Sequence, residues 1–237
     1  HESLLAAPKQ WLAVAEKEGT EDYLKTIKQT WQPTLSQTHS DSLFVPELQI
    51  YTPLNQAWIA NSQIHFCAKA YPTVAMGHAD AAALSVLGGV LRNGYLHRTI
   101  REQGGAYGGG ASQDSNSASF RFYSYRDPRM GATLKDFDDS IAWLFDETIS
   151  GQSIEESILG IVSSLDKPGS PAGEAKQEFH AQLTGRTCEK RSLYREQITQ
   201  VTATDLRRVA ETYLKSDKAS TVIVTGHHGE KEAKQLG

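Results

Sequence analysis

Cysteine is scarce in this sequence, and the scarcity excludes a good deal. Of 237 residues only Cys67 and Cys188 carry thiols. Two cysteines cannot form a disulfide framework, and no pair has metal-binding spacing. A single bridge is compatible with the count. Two buried thiols in a reducing, intracellular compartment is the favoured reading over a secreted protein. The eight histidines form neither H-E-x-x-H nor H-x-x-E-H, so no helix presents two imidazoles and a general-base carboxylate. His78-Ala79-Asp80 lacks a second histidine, and His227-His228 with Glu230 reads as part of a solvated C-terminal tail. G-x-S-x-G is missing, and with it the nucleophile elbow of an α/β-hydrolase. No apolar run approaches the roughly 20 residues that span a bilayer. Nor is there an excess of positive charge. A net charge of -4 leaves no electrostatic footprint for nucleic acid, and neither nucleic acid nor membrane is expected as a partner. The chain starts at His1, not Met, so it reads as a piece of a longer or processed protein.

What is present describes a globular α+β chain. An imperfect apolar stripe through Leu4, Leu5, Trp11, Leu12 and Val14 is broken at Gly19. Tyr23, Leu24, Ile27 and Trp31 then recur at helical spacing, so residues 1–46 read as a helical hairpin and a polar linker. Residues 47–237 read as the main domain. Strands are expected from Leu48 to Tyr71, first at Gln49-Ile50-Tyr51. A second has Ile64, Phe66, Ala68 and Ala70 on its apolar face and His65, Cys67 and Lys69 on its less apolar one. That places His65 at the surface or in a second layer. A helix is expected over His78–Asn93, its Gly88-Gly89 pair marking close approach to a neighbour, with Asp80 favouring the positive end of its dipole.

Ala106–Gln113 and Ala118–Tyr125 should pair as a hairpin across Asp114-Ser115-Asn116-Ser117, with Phe120 and Phe122 facing away from Arg121, Tyr123 and Tyr125. An edge of that hairpin is a candidate for receiving an extended peptide. Leu134 to Ile149 is amphipathic and should end at Gly151. Ser153-Ile154-Glu155-Glu156 reads as a capping box, Pro168–Gly173 as a loop, and two helices should cover about 174 to 198. Thr202-Ala203-Thr204-Asp205 reads as a second capping box, and Ser220–Thr225 as a closing strand inside a sheet. This order lacks βαβα alternation. It predicts a two-layer α+β sandwich, a mostly antiparallel sheet with helices packed on one face.

The rest of the chain is organised around Arg92–Gly110. Leu96 and Ile100 lie four apart on one helical face, Gly104-Gly105 stops the helix, and Ala106-Tyr107 restarts as extended chain. Such a turn lets Arg101 and Tyr107 face one space, two polar donors aimed at a carbonyl or an anion. On spacing alone a plainer reading is favoured: Arg101 as a cation suited to a helix C-terminus, Tyr107 as an ordinary strand aromatic. A phosphate loop fits poorly, because G-x-x-x-x-G-K-[ST] is absent and these glycines follow a helix.

Leu91-x₄-Leu96-His97-x-x-Ile100-Arg101-Glu102-x-Gly104-Gly105-Ala106-Tyr107-Gly108 resembles the signature of the C-terminal half of pitrilysin/insulinase-family zinc metallopeptidases. The Gly-Gly-Ala-Tyr-Gly form is most similar to the presequence-protease branch, and the resemblance runs from about Leu48 to Thr225. It implies a largely antiparallel sheet covered by helices, and a long polypeptide whose two halves close around an unstructured peptide. It implies zinc on an H-x-x-E-H motif in the missing N-terminal half and none bound by this chain. Arg101 and Tyr107 match the Arg and Tyr that the second half contributes across the chamber. The implied substrate-binding set is Arg101, Gly104, Gly105, Ala106 and Tyr107, and the implied partners are the N-terminal half and a peptide substrate. Alone, the chain should be inactive. Two other functions stay open: a non-catalytic scaffold of the same fold, and a nucleotide or small-molecule enzyme using the glycine-rich loop.

Overall fold

The structure, a computed structural model, describes residues 10–31, 52–146 and 148–236. In chain order its elements are α1 (Lys17–Trp31), β1 (Asn55–Ile59), β2 (His65–Pro72), α2 (Ala81–Leu91), a π-helical segment (Arg92–Gln103), β3 (Gly108–Asp114) and β4 (Ser119–Asp127). There follow α3 (Gly131–Asp146), α4 (Gly151–Leu165), α5 (Pro171–Leu183), α6 (Cys188–Thr199), α7 (Ala203–Tyr213), β5 (Ser220–Thr225) and α8 (Glu230–Leu236), with short 3₁₀ turns on either side of β5. The chain divides into two compact units, His1–Leu48 with Lys167–Cys188, and Gln49–Asp166 with Glu189–Gly237.

In the first unit, Gly19 does not break a helix. It lies in the first turn of α1, and residues 11–16 are not helical. The N-terminal part of the expected hairpin, its whole linker and the Gln49-Ile50-Tyr51 strand lie outside the described residues. α5 starts earlier than expected because Ser170 caps it, accepting from the Gly173 N–H, and Pro171 occupies the position where a missing N–H costs nothing.

The second unit is built on a five-stranded sheet of order β1-β5-β2-β4-β3. Only β1 and β5 pair in parallel; the other three pairings are antiparallel. The expected hairpin forms, with Gln113 opposite Phe120 and Gly108 opposite Tyr125. Its turn is held by Asp114, whose Oδ1 accepts from the N–H groups of Asn116 and Ser117 at 2.9 and 3.4 Å. Phe120 and Phe122 point into the core with Tyr71 and Phe137, their rings meeting edge-on or tilted. α2 is buried on nearly every side, as its almost uniformly apolar sequence requires. Its Gly88 lies against the backbone of Ser112, where a Cβ would approach to 2.9 Å, so the expected close approach is real.

Several local expectations are corrected. β2 is inverted: His65, Cys67 and Tyr71 face the helices, while Phe66 and Ala68 face outward. His65 is 5% exposed, and its Nδ1 lies 2.7 Å from Thr225 Oγ1. Burial first, then the nearby His228, hold its imidazole below the ordinary histidine range. His228 is within reach because residues 227–236 fold back as a 3₁₀ turn and α8 instead of forming a solvated tail; the two imidazoles are 5.1 Å apart. Asp80 stands at the N-cap of α2, where its negative charge suits the dipole as expected, but it makes no side-chain capping hydrogen bond. Its carboxylate accepts from Arg208 Nη1 and Tyr213 Oη, both at 2.7 Å, and so ties α7 to the start of α2. α3 ends at Asp146, before Ile149, and Gly151 begins α4 instead of ending the previous helix. The cap of α4 is Ser150, which accepts from Ser153 N–H, and not Ser153 itself. The Thr202/Asp205 capping box forms as read. Both cysteines are free, but only Cys67 is buried, where desolvation pushes its thiol up to about 12; Cys188 is exposed. Among the described residues no helix is long and apolar enough to cross a membrane.

Candidate functional site

The π-helical segment ends in a tight turn closed by short-range backbone hydrogen bonds. Leu96 and Ile100 are fully buried and fix the segment's inner face, leaving Arg101 exposed at its end. The N–H of Gly105 donates to the Arg101 carbonyl and that of Ala106 to the Ile100 carbonyl, each at 3.1 Å. Gly105 takes φ +80°, a left-handed conformation that ends a helix without steric cost only for glycine. Gly104 keeps helical angles and is required for a different reason. A Cβ there would fall 1.9 Å from Arg129 Nη2 and 2.5 Å from the Ile100 carbonyl.

Arg129 is held against that glycine. Its Nη2 donates to the Thr99 carbonyl at 3.1 Å and to Asp136 at 3.0 Å. The fully buried Asp127 accepts from the Arg129 backbone N–H at 2.9 Å and from Thr133 Oγ1 at 2.7 Å. A buried carboxylate needs such partners. No local pattern at 126–129 announces this brace, since its partners Thr99, Thr133 and Asp136 lie on other elements.

Tyr107 follows the turn, just before β3. Its side chain is 64% exposed and its N–H donates to the Arg126 carbonyl at 3.3 Å. Two groups meet its ring: Tyr125, at 5.6 Å between centroids, and the Arg126 guanidinium, 5.5 Å from the centroid. Arg126 gets there through a β-bulge. β2 pairs His65 with Asp127 but Cys67 with Ser124, so β4 carries one residue more than its partner across that interval. The bulge has two effects. Asp127 faces inward, out of step with Phe120, Phe122 and Ser124, and Arg126 faces outward with a left-handed φ of 49°. Five expected site residues, Arg101 and Gly104 to Tyr107 without Gln103 and Glu102, therefore lie on one turn with both polar side chains exposed. Tyr125, Arg126, Asp127 and Arg129 were missed. The available signal was the break in β4's alternation at Tyr125-Arg126-Asp127.

This turn borders a face of the sheet that is apolar and exposed. Register places Trp58, Val224 and Phe66 in one row, and Val222, Ala68 and Tyr123 in the next. Phe66, Tyr123, Tyr125 and Val222 are 37–40% exposed and Trp58 is 60%. A depression of about 510 Å³ bordered by Ala68, Ala70, Ser112, Arg121 and Tyr123 lies on it. Aromatic residues pointing outward on these strands leave an apolar patch in solvent, a feature that in general marks interaction surfaces. No group of three His, Cys, Asp or Glu side chains that could hold a metal ion occurs among the described residues, so these residues do not fit a zinc site.

Comparison with known proteins places the chain. Residues 55–227 match the family model described as PreP C-terminal domain. The mitochondrial presequence protease of Kluyveromyces lactis is 40% identical over 163 residues, 68% of this chain; the chain covers 16% of that protein's length. Among solved structures, a protease from Helicobacter pylori superposes with TM-score 0.68 at 16% identity, over 87% of this chain and 52% of that one. A peptidase M16 inactive domain from Pseudomonas fluorescens gives TM-score 0.64 at 15% identity, over 87% of this chain and 51% of that one. These two likenesses concern the fold alone, a mixed α/β domain.

Proposed function

The chain belongs to the PreP C-terminal domain family, and on that premise we propose that it is the substrate-binding C-terminal portion of a zinc-dependent metalloendopeptidase that cleaves unstructured peptides in a closed chamber. Zinc and the general base would come from the preceding part of the longer polypeptide, and this chain would be inactive alone. The observation that carries the reading is the exposed Tyr107 side chain, presented by a braced turn at the border of an exposed apolar sheet face. Tyr107 would donate its O–H to the scissile carbonyl, or to the oxyanion that grows from it. Arg101 would hold a neighbouring substrate carbonyl or the same oxyanion. Pre-placed donors of this kind work because they need no reorganisation as charge develops. Gly104, Gly105 and Ala106 would shape the approach to both. The outward face of Trp58, Phe66, Tyr123 and Tyr125 would receive apolar side chains of the peptide.

Arg101 supplies a test separate from Tyr107. Arg101→Ala in the full-length enzyme is expected to lower kcat/KM by about 10- to 100-fold, and Arg101→Lys to recover only part, because a point charge cannot reproduce the guanidinium fork. The substitution lies at an exposed position and should leave Tm within about 1 °C. Steady-state kinetics with unchanged kcat/KM for both variants would remove Arg101 from the reading. A scaffold without catalysis is the second reading, favoured by the likeness to the P. fluorescens inactive domain. It predicts that no residue of this turn affects turnover in any assembled form.

A further inference from the structure

We propose that Arg126 is a positioning residue for Tyr107, an inference that rests on the functional reading above. Tyr107 is largely solvent-exposed, so packing against a core does not fix its ring. An exposed phenol on an unrestrained χ1 samples several rotamers, and a donor must be placed within a fraction of an ångström to act in a transition state. The structure supplies two restraints. Tyr125 meets the ring on one side, and the Arg126 guanidinium sits 5.5 Å from its centroid, within cation–π range.

The backbone is distorted to bring Arg126 there. It adopts φ 49°, costly for a residue with a Cβ, at the extra position of the β4 bulge. Without that extra residue, position 126 would continue the inward series of Phe120, Phe122 and Ser124 and bury the guanidinium. The same residue accepts the Tyr107 N–H through its carbonyl, so one bulge fixes both the backbone and the ring of Tyr107. The exposed side chain of Arg126 also lets the contact form without desolvating the cation fully. Glycine or asparagine would suit this φ better, so the backbone alone does not explain an arginine here.

The test is a set of kinetic comparisons in the full-length enzyme. Arg126→Ala and Arg126→Gly should lower kcat between about 5- and 100-fold, with KM and Tm changed little. Arg126→Gly relaxes the left-handed backbone, so a loss equal to that of Arg126→Ala assigns the effect to the side chain. Arg126→Lys, which keeps a cation over the ring, should recover most of the rate. Combined with Tyr107→Phe, Arg126→Ala should add less than about twofold, because the hydroxyl whose position it sets is gone. Full multiplication of the two losses would overturn the proposal, since Arg126 would then act independently of Tyr107. Normal kcat for Arg126→Ala beside a crippled Tyr107→Phe would overturn it too, while leaving the role of Tyr107 intact. Normal kcat for Tyr107→Phe would instead remove the reading on which it rests.

Discussion

Tyr107→Phe in the full-length enzyme is expected to lower kcat by about 10²–10³, the usual cost of deleting one oxyanion donor. The substitution removes one oxygen and keeps the ring. Contacts of the ring with Tyr125 and Arg126 survive, so the loop should hold its shape. Tyr107 is largely exposed, so no buried group loses a partner and Tm should stay within about 1 °C. KM for a long peptide should also change little, because a donor that strengthens only as charge develops contributes to the transition state and not to ground-state binding. A fall in kcat with constant KM and constant Tm separates loss of a donor from loss of structure. A rise in KM alone would show Tyr107 to be an ordinary binding contact.

The second large effect is expected at Gly104. In Gly104→Ala the new methyl meets the Arg129 guanidinium and the Ile100 carbonyl at distances no pair of atoms tolerates. The guanidinium could swing away if it were free, but its bonds to Thr99 and Asp136 hold it, and its Nε is already buried without a partner. Either the brace breaks or the turn moves, at a cost of about 1–3 kcal/mol. A Tm lowered by several degrees is expected, with turnover falling about as far as in Tyr107→Phe because the phenol is displaced. Gly105 gives the contrasting case. Its requirement is φ +80°, and the nearest atom to an added Cβ is at an unstrained 3.5 Å. Gly105→Asn should therefore keep much of the stability that Gly105→Val loses, since asparagine visits left-handed angles and a β-branched residue does not. Thermal denaturation and steady-state kinetics on the three variants would check this. A fully stable and fully active Gly104→Ala would mean that the brace does not exist as described.

The sequence was most legible where local chemistry determines local structure. The Asp114 turn, the Thr202/Asp205 box and the alternation of Phe120 and Phe122 against Arg121 and Tyr123 all formed as read, because each rests on neighbours within a few residues. It misled where a distant element decides. Alternation in β2 put the apolar row inward, yet Phe66 is exposed and His65 buried. An apolar row is a guide to the core only if the core is the one surface it must cover, and this sheet has a second face rich in aromatic side chains. His65 is satisfied by Thr225, 160 residues later, which no local pattern reveals. At the site, the glycine turn was visible as a helix stop, and resemblance drew attention to Arg101 and Tyr107. What supports them came from elsewhere in the chain: Arg129 behind Gly104, Arg126 over Tyr107, and the bulge that sets the facing of Arg126 and Asp127. A bulge appears in sequence only as one residue out of step, here at Tyr125-Arg126-Asp127, and the residue it pairs against lies on another strand.

The central claim is that this chain supplies the binding side of a peptidase whose metal lies elsewhere in the polypeptide. Its most direct test is cleavage of an unstructured fluorogenic peptide in the presence of zinc, by this chain alone and by this chain assembled with the preceding part of the same polypeptide. The account predicts no cleavage by the chain alone, cleavage by the assembly, and loss of that cleavage on adding a chelator. Chelator-sensitive cleavage by the chain alone, or none by an assembly shown to form and to bind zinc, would contradict it.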